Sequence, residues 1–508
     1  MLMSAADYRE SLRRYRPRVF VNGRRVESVA DEPSLAPGIA AVGITYDFAR
    51  RPEHARLMTA RQGTSGATVN RMLHIDETTA DLLHKLEAVR LVCRESGCAQ
   101  RYLSHDALNG IFQATGRTDD AHGTDHHQRF LAYLHRVQEE DLTLGVAMTD
   151  AKGDRSRRPG AQDNPDVHVH IAGRQPGGIV IRGTKAIVTG APYMHELLVM
   201  PGRSMTAEES AFAVCCAVPV DAPGVTIVAR PAGRPGEAAA TFSARYGQST
   251  GVVVFDDVFV PWKDVFLAGE HEEGGFLTTS YATHHRHSCI GARAGFGDLL
   301  IGAGALMIEA NGLDPDRHGH IRDAMIELIT IVEGFFACGV AASVYGTEDP
   351  AGSIMPDAVF ANIGKLLLAT RIYDMHRLAH YVSGGLVVAL PGPDEDHNPE
   401  TQASLAAVLA GRPDIPAARR LEVARLLEDL TASSQGGWYS VISLHGGGSP
   451  EAMKREIWRN YPVAGKTELV ERLLDRGVLA DGGRVSRQPG RCCVTGCEVP
   501  DPLPPAAP

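Results

Sequence analysis

Apolar residues recur near the helical period in "AADYRESLRRY" (5–15), "TADLLHKLEAVRLVC" (79–93) and "DHHQRFLAYLHRVQEEDL" (125–142). This predicts helices through most of residues 1–145. From residue 146 to 275 the pattern shortens to β-rich runs such as "DVHVHIAG", "GIVIRGTKAIVTG", "GVTIVARP" and "GVVVFDDVFVPW", punctuated by Gly, Pro and Asp. These read as an antiparallel β-domain. Long helical patterns return over 276–480, among them "FGDLLIGAGALMIEANG" and "IRDAMIELITIVEGFFACGVAASVYG", and suit a bundle. Residues 481–508 are rich in Pro and Gly and read as a disordered tail. The predicted order is helical domain, β-domain, helical bundle, tail.

Composition narrows the function. The chain has 508 residues, 44% of them hydrophobic and 22% charged, with a formal net charge of −10. Without a basic footprint, nucleic-acid binding is not expected. Apolar runs such as "AFAVCCAVPV" are too short to span a bilayer, and the charged start "MLMSAADYRESLRRYRP" does not resemble a signal peptide. Nine cysteines in this length make no disulfide framework. A cytoplasmic protein holding reduced thiols is expected.

Three stretches carry candidate binding chemistry. "GVAMTDAKGDRS" (145–156) offers small residues around Met148, Thr149 and Asp150, and a phosphate-pairing fork on Arg155. "IRGTKAIVTGA" (181–191) holds Lys185 and ends in Thr189 and Gly190. "SLHGGGSP" (443–450) places Gly446 and Gly447 after His445, where backbone N–H groups could meet a ligand. Each also reads as a turn beside a strand or a helix C-cap. A fourth stretch, "YATHHRHSCIGARAG" (281–295), packs three histidines and a cysteine into six residues. It is a metal site, an acid/base site, or a polar turn of a buried helix.

"ADYRESLRRYRPRVFVNGRRVESV", "AMTDAKGDRS", "VVVFDDVFVPWKDVFLAGE" and "LHGGGSP" resemble the 4-hydroxyphenylacetate 3-hydroxylase family along nearly the whole chain. The resemblance implies an α+β, acyl-CoA-dehydrogenase-like fold. It also implies FAD between β-domain and bundle, held by the residues of the three stretches above, and a homotetramer or dimer. Within the family the wording is closest to the 4-hydroxybutyryl-CoA dehydratase branch. That branch holds a four-iron cluster through Cys-x-x-x-Cys and His-x6-Cys pairs. Here the first pair falls on Cys98 and Tyr102, and the second on His285 and Ala292. A phenol or a methyl group cannot replace a thiolate on iron, so no iron–sulfur cluster and no other metal site is expected. A reduced Cys98/His285/Cys289 set stays conceivable from spacing, whereas Cys93 points away from Cys98. The branch's glutamate before the His-Gly loop falls on Ile442 and its tyrosine after the histidine on Cys289, while Glu270 is retained.

In the monooxygenase branch, reduced FAD and oxygen hydroxylate an electron-rich ring, and the protein positions and deprotonates the phenol. The family's arginine position is kept as Arg101, and His105 follows at i,i+4; the branch's histidine at the flavin loop falls on Val146. The resemblance therefore implies that Arg101, His105 and His285 converge on substrate. His285 would be the acid/base and Tyr102, Arg286 and Cys289 would line the pocket. His284 and His287 point to other helix faces and read as structural. "HGTDHH" (122–127) reads as an exposed helix start, and "CCVTGC" (492–497) lacks the partners of a zinc site. The expected activity is a two-component, FADH2-dependent monooxygenase that acts on a small aromatic substrate and is fed by a separate reductase. A cluster-free flavin-dependent dehydratase or isomerase is the alternative.

Overall fold

The computed structural model describes residues 2–475, so the 492–497 cysteines and the tail lie outside the described residues. One compact unit runs through Asn460, and the described part of the second carries helix Val463–Asp475.

Two sheets form the middle of the first unit. In order across the larger sheet, the strands are Arg24–Arg25, Arg18–Val21, Val225–Ala229, Thr250–Pro261, Gly178–Thr189 and His170–Gln175. The smaller sheet runs Val265–Ala268, Val214–Pro219, Glu196–Val199, Leu144–Ala147. Two pairings depart from the antiparallel expectation: Arg18–Val21 lies parallel to Val225–Ala229, and Leu144–Ala147 parallel to Glu196–Val199. The first brings residues assigned to the helical domain into the β-layer. Alternation explains it, since Val19 and Val21 turn inward while Arg18 stays in solvent.

Helices cover this layer from both chain ends. Helix Thr79–Ser96 starts on a reciprocal Thr78/Asp81 capping box and stops at Gly97, whose φ of +67° ends it. Gln100, at φ +60°, turns the chain again before helix Tyr102–His122. The 40-residue helix His271–Ala310 is the axis of the bundle, and over Ser280–Gly297 every residue is buried. Gly291 lets helix Thr79–Ser96 approach closely, because a Cβ there would sit 2.6 Å from the Leu86 carbonyl oxygen. Helices Gly319–Val344 and Ala358–Ser383 pack on its other side. By length and composition, the first of these two and the axial helix are apolar enough to cross a membrane, unlike the shorter runs weighed from sequence. His126 does open a helix, His126–Glu140, but it is buried and faces Glu270 at 3.3 Å instead of lying exposed.

Candidate active site

The axial helix presents charged and polar groups on two sides. Towards helices Thr79–Ser96 and Tyr102–His122, the centre is Asp106, fully buried. Its Oδ2 lies 3.0 Å from His285 Nδ1, and its Oδ1 accepts a 2.6 Å bond from Ser288 Oγ. Lys85 Nζ stands 3.7 Å from the same Oδ1 and donates to Ser288 Oγ at 3.1 Å. His105 reaches Asp76 at 3.1 Å and Asp106 at 3.7 Å. Burial opposes ionisation of Asp106, but bonds from His105 and His285 and the Lys85 charge hold its carboxyl well below the usual range.

His285 is stacked between two rings, Tyr281 at 5.4 Å and Tyr102 at 6.1 Å. Its Nε2 is 3.6 Å from Cys289 Sγ, one turn on. Burial disfavours its charge, yet Cys289 and Asp106 on its two nitrogens raise its pKa to about 10, and the imidazolium lowers that of Cys289 in turn. Both shifts favour passing the Cys289 proton to His285, with Asp106 anchoring the other ring nitrogen.

On the opposite side stand Arg286, Arg293 and Lys365, each at least nine-tenths buried. Arg293 Nε donates to Ser443 Oγ at 2.5 Å, and Lys365 Nζ donates to the Ser443 carbonyl at 2.7 Å. Arg286 donates to the Gly447 carbonyl and to Asn362 Oδ1 at 2.9 and 2.8 Å. Gly447 has φ +78°, and a Cβ there would lie 3.3 Å from His285, 3.4 Å from Arg286 and 3.7 Å from Lys365. Burial pushes the Lys365 ammonium down to about 8.

The residues named from sequence divide accordingly. Tyr102, His285, Arg286, Cys289 and Gly447 come together. His105 reaches the group only through Asp106. Arg101, at the αR N-cap of helix Tyr102–His122, has other partners than His105. Its guanidinium donates to Asp141 Oδ1 and to the Asp141 and Leu142 carbonyls and lies 3.9 Å over the Tyr46 ring, away from His285's partners. Lys185 is buried by three acceptors, the Met148 and Met200 carbonyls and Asp150, and so pins the 148–150 loop to its strand. Met148 and Thr149 are half-buried there, Gly190 closes the strand at φ +71° beside half-buried Thr189, and Arg155 and His445 are exposed. Gly446 caps helix Ser434–His445. His287 bonds the Gly339 carbonyl and Ser343, and His284 is buried, its pKa pushed down to about 3 by burial and Lys85.

Sequence reasoning missed Asp106, Lys85, Ser288, Arg293, Lys365 and Ser443. Lone charges in apolar or small-residue helical runs, as in "IGKLLLAT" and "IGARAGFG", were the available signal.

The iron-ligand question is settled by side-chain identity. Tyr102 places its hydroxyl 3.4 Å from Cys98 Sγ, where a second thiolate would be needed, and Ala292 offers no donor. Among the described residues, no three His, Cys, Asp or Glu side chains are arranged to hold a metal. The residues present do not fit a four-ligand cluster.

Helices around a central β-layer, with an Asp106–His285 pair buried in the bundle, are the frame of an α+β enzyme. Residues 4–267 and 275–475 match the N- and C-terminal profiles of 4-hydroxyphenylacetate 3-hydroxylase, and the chain belongs to that family. It is 35% identical over 487 residues to the 4-hydroxybutyryl-CoA dehydratase/vinylacetyl-CoA-Δ-isomerase of Clostridium aminobutyricum, covering 93% of this chain and 99% of that one. It is 26% identical over 467 residues to the 4-hydroxyphenylacetate 3-monooxygenase oxygenase component of Thermus thermophilus, covering 91% and 95%. An oxygen-tolerant archaeal 4-hydroxybutyryl-CoA dehydratase from N. maritimus superposes with a TM-score of 0.89 at 35% identity, over 95% of this chain and 97% of that one. The FAD complex of a 4-hydroxyphenylacetate 3-monooxygenase oxygenase component shares the fold, with a TM-score of 0.83 at 22% identity over 94% and 99%.

Proposed function

We propose that this chain is the oxygenase component of a two-component monooxygenase, using FAD reduced by a separate reductase to hydroxylate a small phenolic molecule. The observation that carries the proposal is the Asp106–His285 dyad in a pocket whose cluster positions hold Tyr102 and Ala292. A chain that has exchanged two iron ligands but kept a buried, carboxylate-anchored imidazole retains the means to move a proton.

The residues fit a bound flavin. Thr250 Oγ1, paired in register with Thr189, and Gln248 Oε1 nearby are buried without hydrogen-bond partners in the described structure. Thr189, Gly190 and the 148–150 loop would hold FAD, which supplies oxygen activation when bound. With the proton it shares with Cys289 held on that sulfur, neutral His285 takes the phenolic proton at Nε2, and Asp106 keeps the ring oriented and stabilises its charge. Tyr281 and Tyr102 on either side of that ring keep water out.

The identity to a dehydratase/isomerase favours a second reading, redox-neutral proton shuttling by the same His285. Oxygen dependence separates the two. FADH2-fed protein incubated with oxygen-18 gas and a panel of phenols is expected to incorporate label into one of them. No label in any phenol, together with anaerobic double-bond migration in an unsaturated acyl thioester, would replace the first reading with the second.

A further inference from the structure

Six cysteines stand among the described residues, all as free thiols. Burial pushes the thiols of Cys93, Cys215, Cys216 and Cys338 up. Burial acts on Cys289 too, but there the His285 ring and the Lys365 and Arg293 charges outweigh it, and the thiol is lowered. The surroundings of this sulfur are those of an activated nucleophile. Sγ lies 3.6 Å from His285 Nε2, and Asp106 holds the other ring nitrogen at 3.0 Å. Lys365 and Arg293 each bond only a neutral oxygen of Ser443, so their charges are free to favour a negative sulfur. The other titratable groups facing it are Arg286 and Tyr281 on its own helix, Cys93 on helix Thr79–Ser96 and Tyr102 on helix Tyr102–His122.

In the proposed mechanism the proton shared by Cys289 and His285 stays on sulfur, and the ring acts as the base. With that proton on the ring, the sulfur becomes the reactive group, because thiolates attack and thiols do not. One proton therefore selects between two chemistries. The oxidant for the second comes with the proposed activity: FADH2 and oxygen, given no phenol, end as FAD and hydrogen peroxide.

We infer that Cys289 is a site of oxidation, at which hydrogen peroxide formed in the absence of a phenol turns the sulfur into a sulfenic acid and takes His285 out of use. The thiolate attacks one peroxide oxygen, and an S–O bond forms as the O–O bond breaks. The departing hydroxide takes the Nε2 proton of His285 and leaves as water. Sulfur gives up two electrons and the peroxide accepts them. The new hydroxyl then occupies the side of Nε2 at which a phenol would give up its proton. Two equivalents of a small thiol reverse the change, returning the cysteine with a disulfide and water. The source of the peroxide and the loss of the base rest on the proposed function; the reactivity of the thiol does not.

The test is peptide mapping by mass spectrometry of the FAD-loaded protein treated with hydrogen peroxide and dimedone, which caps sulfenic acids. At pH 7 Cys289 is expected to be capped at least about tenfold faster than Cys338, the one described cysteine that is not buried, since an ordinary thiol is ionised only to a few per cent there. His285→Gln and His285→Ala should each bring Cys289 down to the rate of Cys338 or below it. Peroxide should remove turnover from the wild type and dithiothreitol should restore it, while Cys289→Ser keeps its own starting rate through the same treatment. Capping of Cys338 ahead of Cys289, or capping of Cys289 that is as fast without His285 as with it, would overturn the proposal. Capping requires neither a phenol nor turnover. A protein capped at Cys289 that puts oxygen-18 into no phenol keeps the thiol site and loses the proposed function, and one that labels a phenol while Cys289 stays uncapped does the opposite.

Discussion

The two sides of the axial helix bury charge in opposite ways. On the side of Asp106, every positive group meets a carboxylate: Lys85 and His285 meet Asp106, and His105 meets Asp76. On the side of Ser443, three cations meet only neutral acceptors. The first arrangement holds His285 in one orientation, and its cost was met within the fold. The second is left to be completed by whatever binds. Balanced charge pre-organises; unbalanced charge selects.

The largest expected effect tests the balanced side kinetically. His285→Ala should slow turnover roughly 10²–10⁴-fold, as loss of a general base does, with little change in FAD affinity. His287→Ala, which breaks bonds to Gly339 and Ser343, should instead lower the melting temperature and leave turnover per folded molecule intact. Parallel losses in both variants, by steady-state rate and thermal melt, would erase the distinction.

Asp106→Asn should cost about 3–5 kcal/mol in urea unfolding, because it strands Lys85 in the core. The contrast with Lys365→Met, expected to be neutral or stabilising, is the sharpest check on the comparison. Arg101→Met belongs with Asp106→Asn, since it unpairs the buried Asp141 and should destabilise by a similar amount. If Arg101→Met instead unfolds like the wild type and loses only activity, Arg101 acts on substrate.

Acid provides a smaller, graded test. The Asp106 carboxyl lies below its unfolded value of 3.8, so its stabilising contribution is present above about pH 4 and is lost as pH falls further. Urea midpoints of wild type and Asp106→Asn should therefore converge as pH is lowered from 5 towards 3. A gap that stays constant would mean that Asp106 acts through packing alone.

The smallest effects concern the flavin residues. Thr189→Val should weaken FAD binding by about 1–3 kcal/mol in a fluorescence titration. Arg155→Ala, exposed on the protomer, should change it by less than about 1 kcal/mol.

The three-part architecture was legible because periodicity reports burial: period two in "GIVIRGTKAIVT", period 3.6 in "IRDAMIELITIVEGFF". The strand Arg18–Val21 was hidden because four residues carry little periodicity and their partner, Val225–Ala229, lies two hundred residues on. Tyr102, His285, Arg286 and Cys289 could be placed together because helical spacing links three of them and family wording supplies the fourth. The position of Arg101 was not legible, since its partner Asp141 lies forty residues on and helical spacing does not reveal that bond. Lys365 and Arg293 went unseen for another reason: a lone cation in an apolar helix gains meaning only once its missing counter-ion is known.

The contact between Cys98 and Tyr102 lies beside the ring of His285. Two relatives of this fold perform radically different chemistries, and in this chain the distance between them is counted in side chains. A thiol and an imidazole persist where four ligands would be required. Tyr102→Cys with Ala292→Cys would complete the set on an otherwise unaltered backbone. Anaerobic reconstitution of that double variant should bring up more iron and sulfide than the parent takes, which would put metal chemistry two substitutions from this pocket.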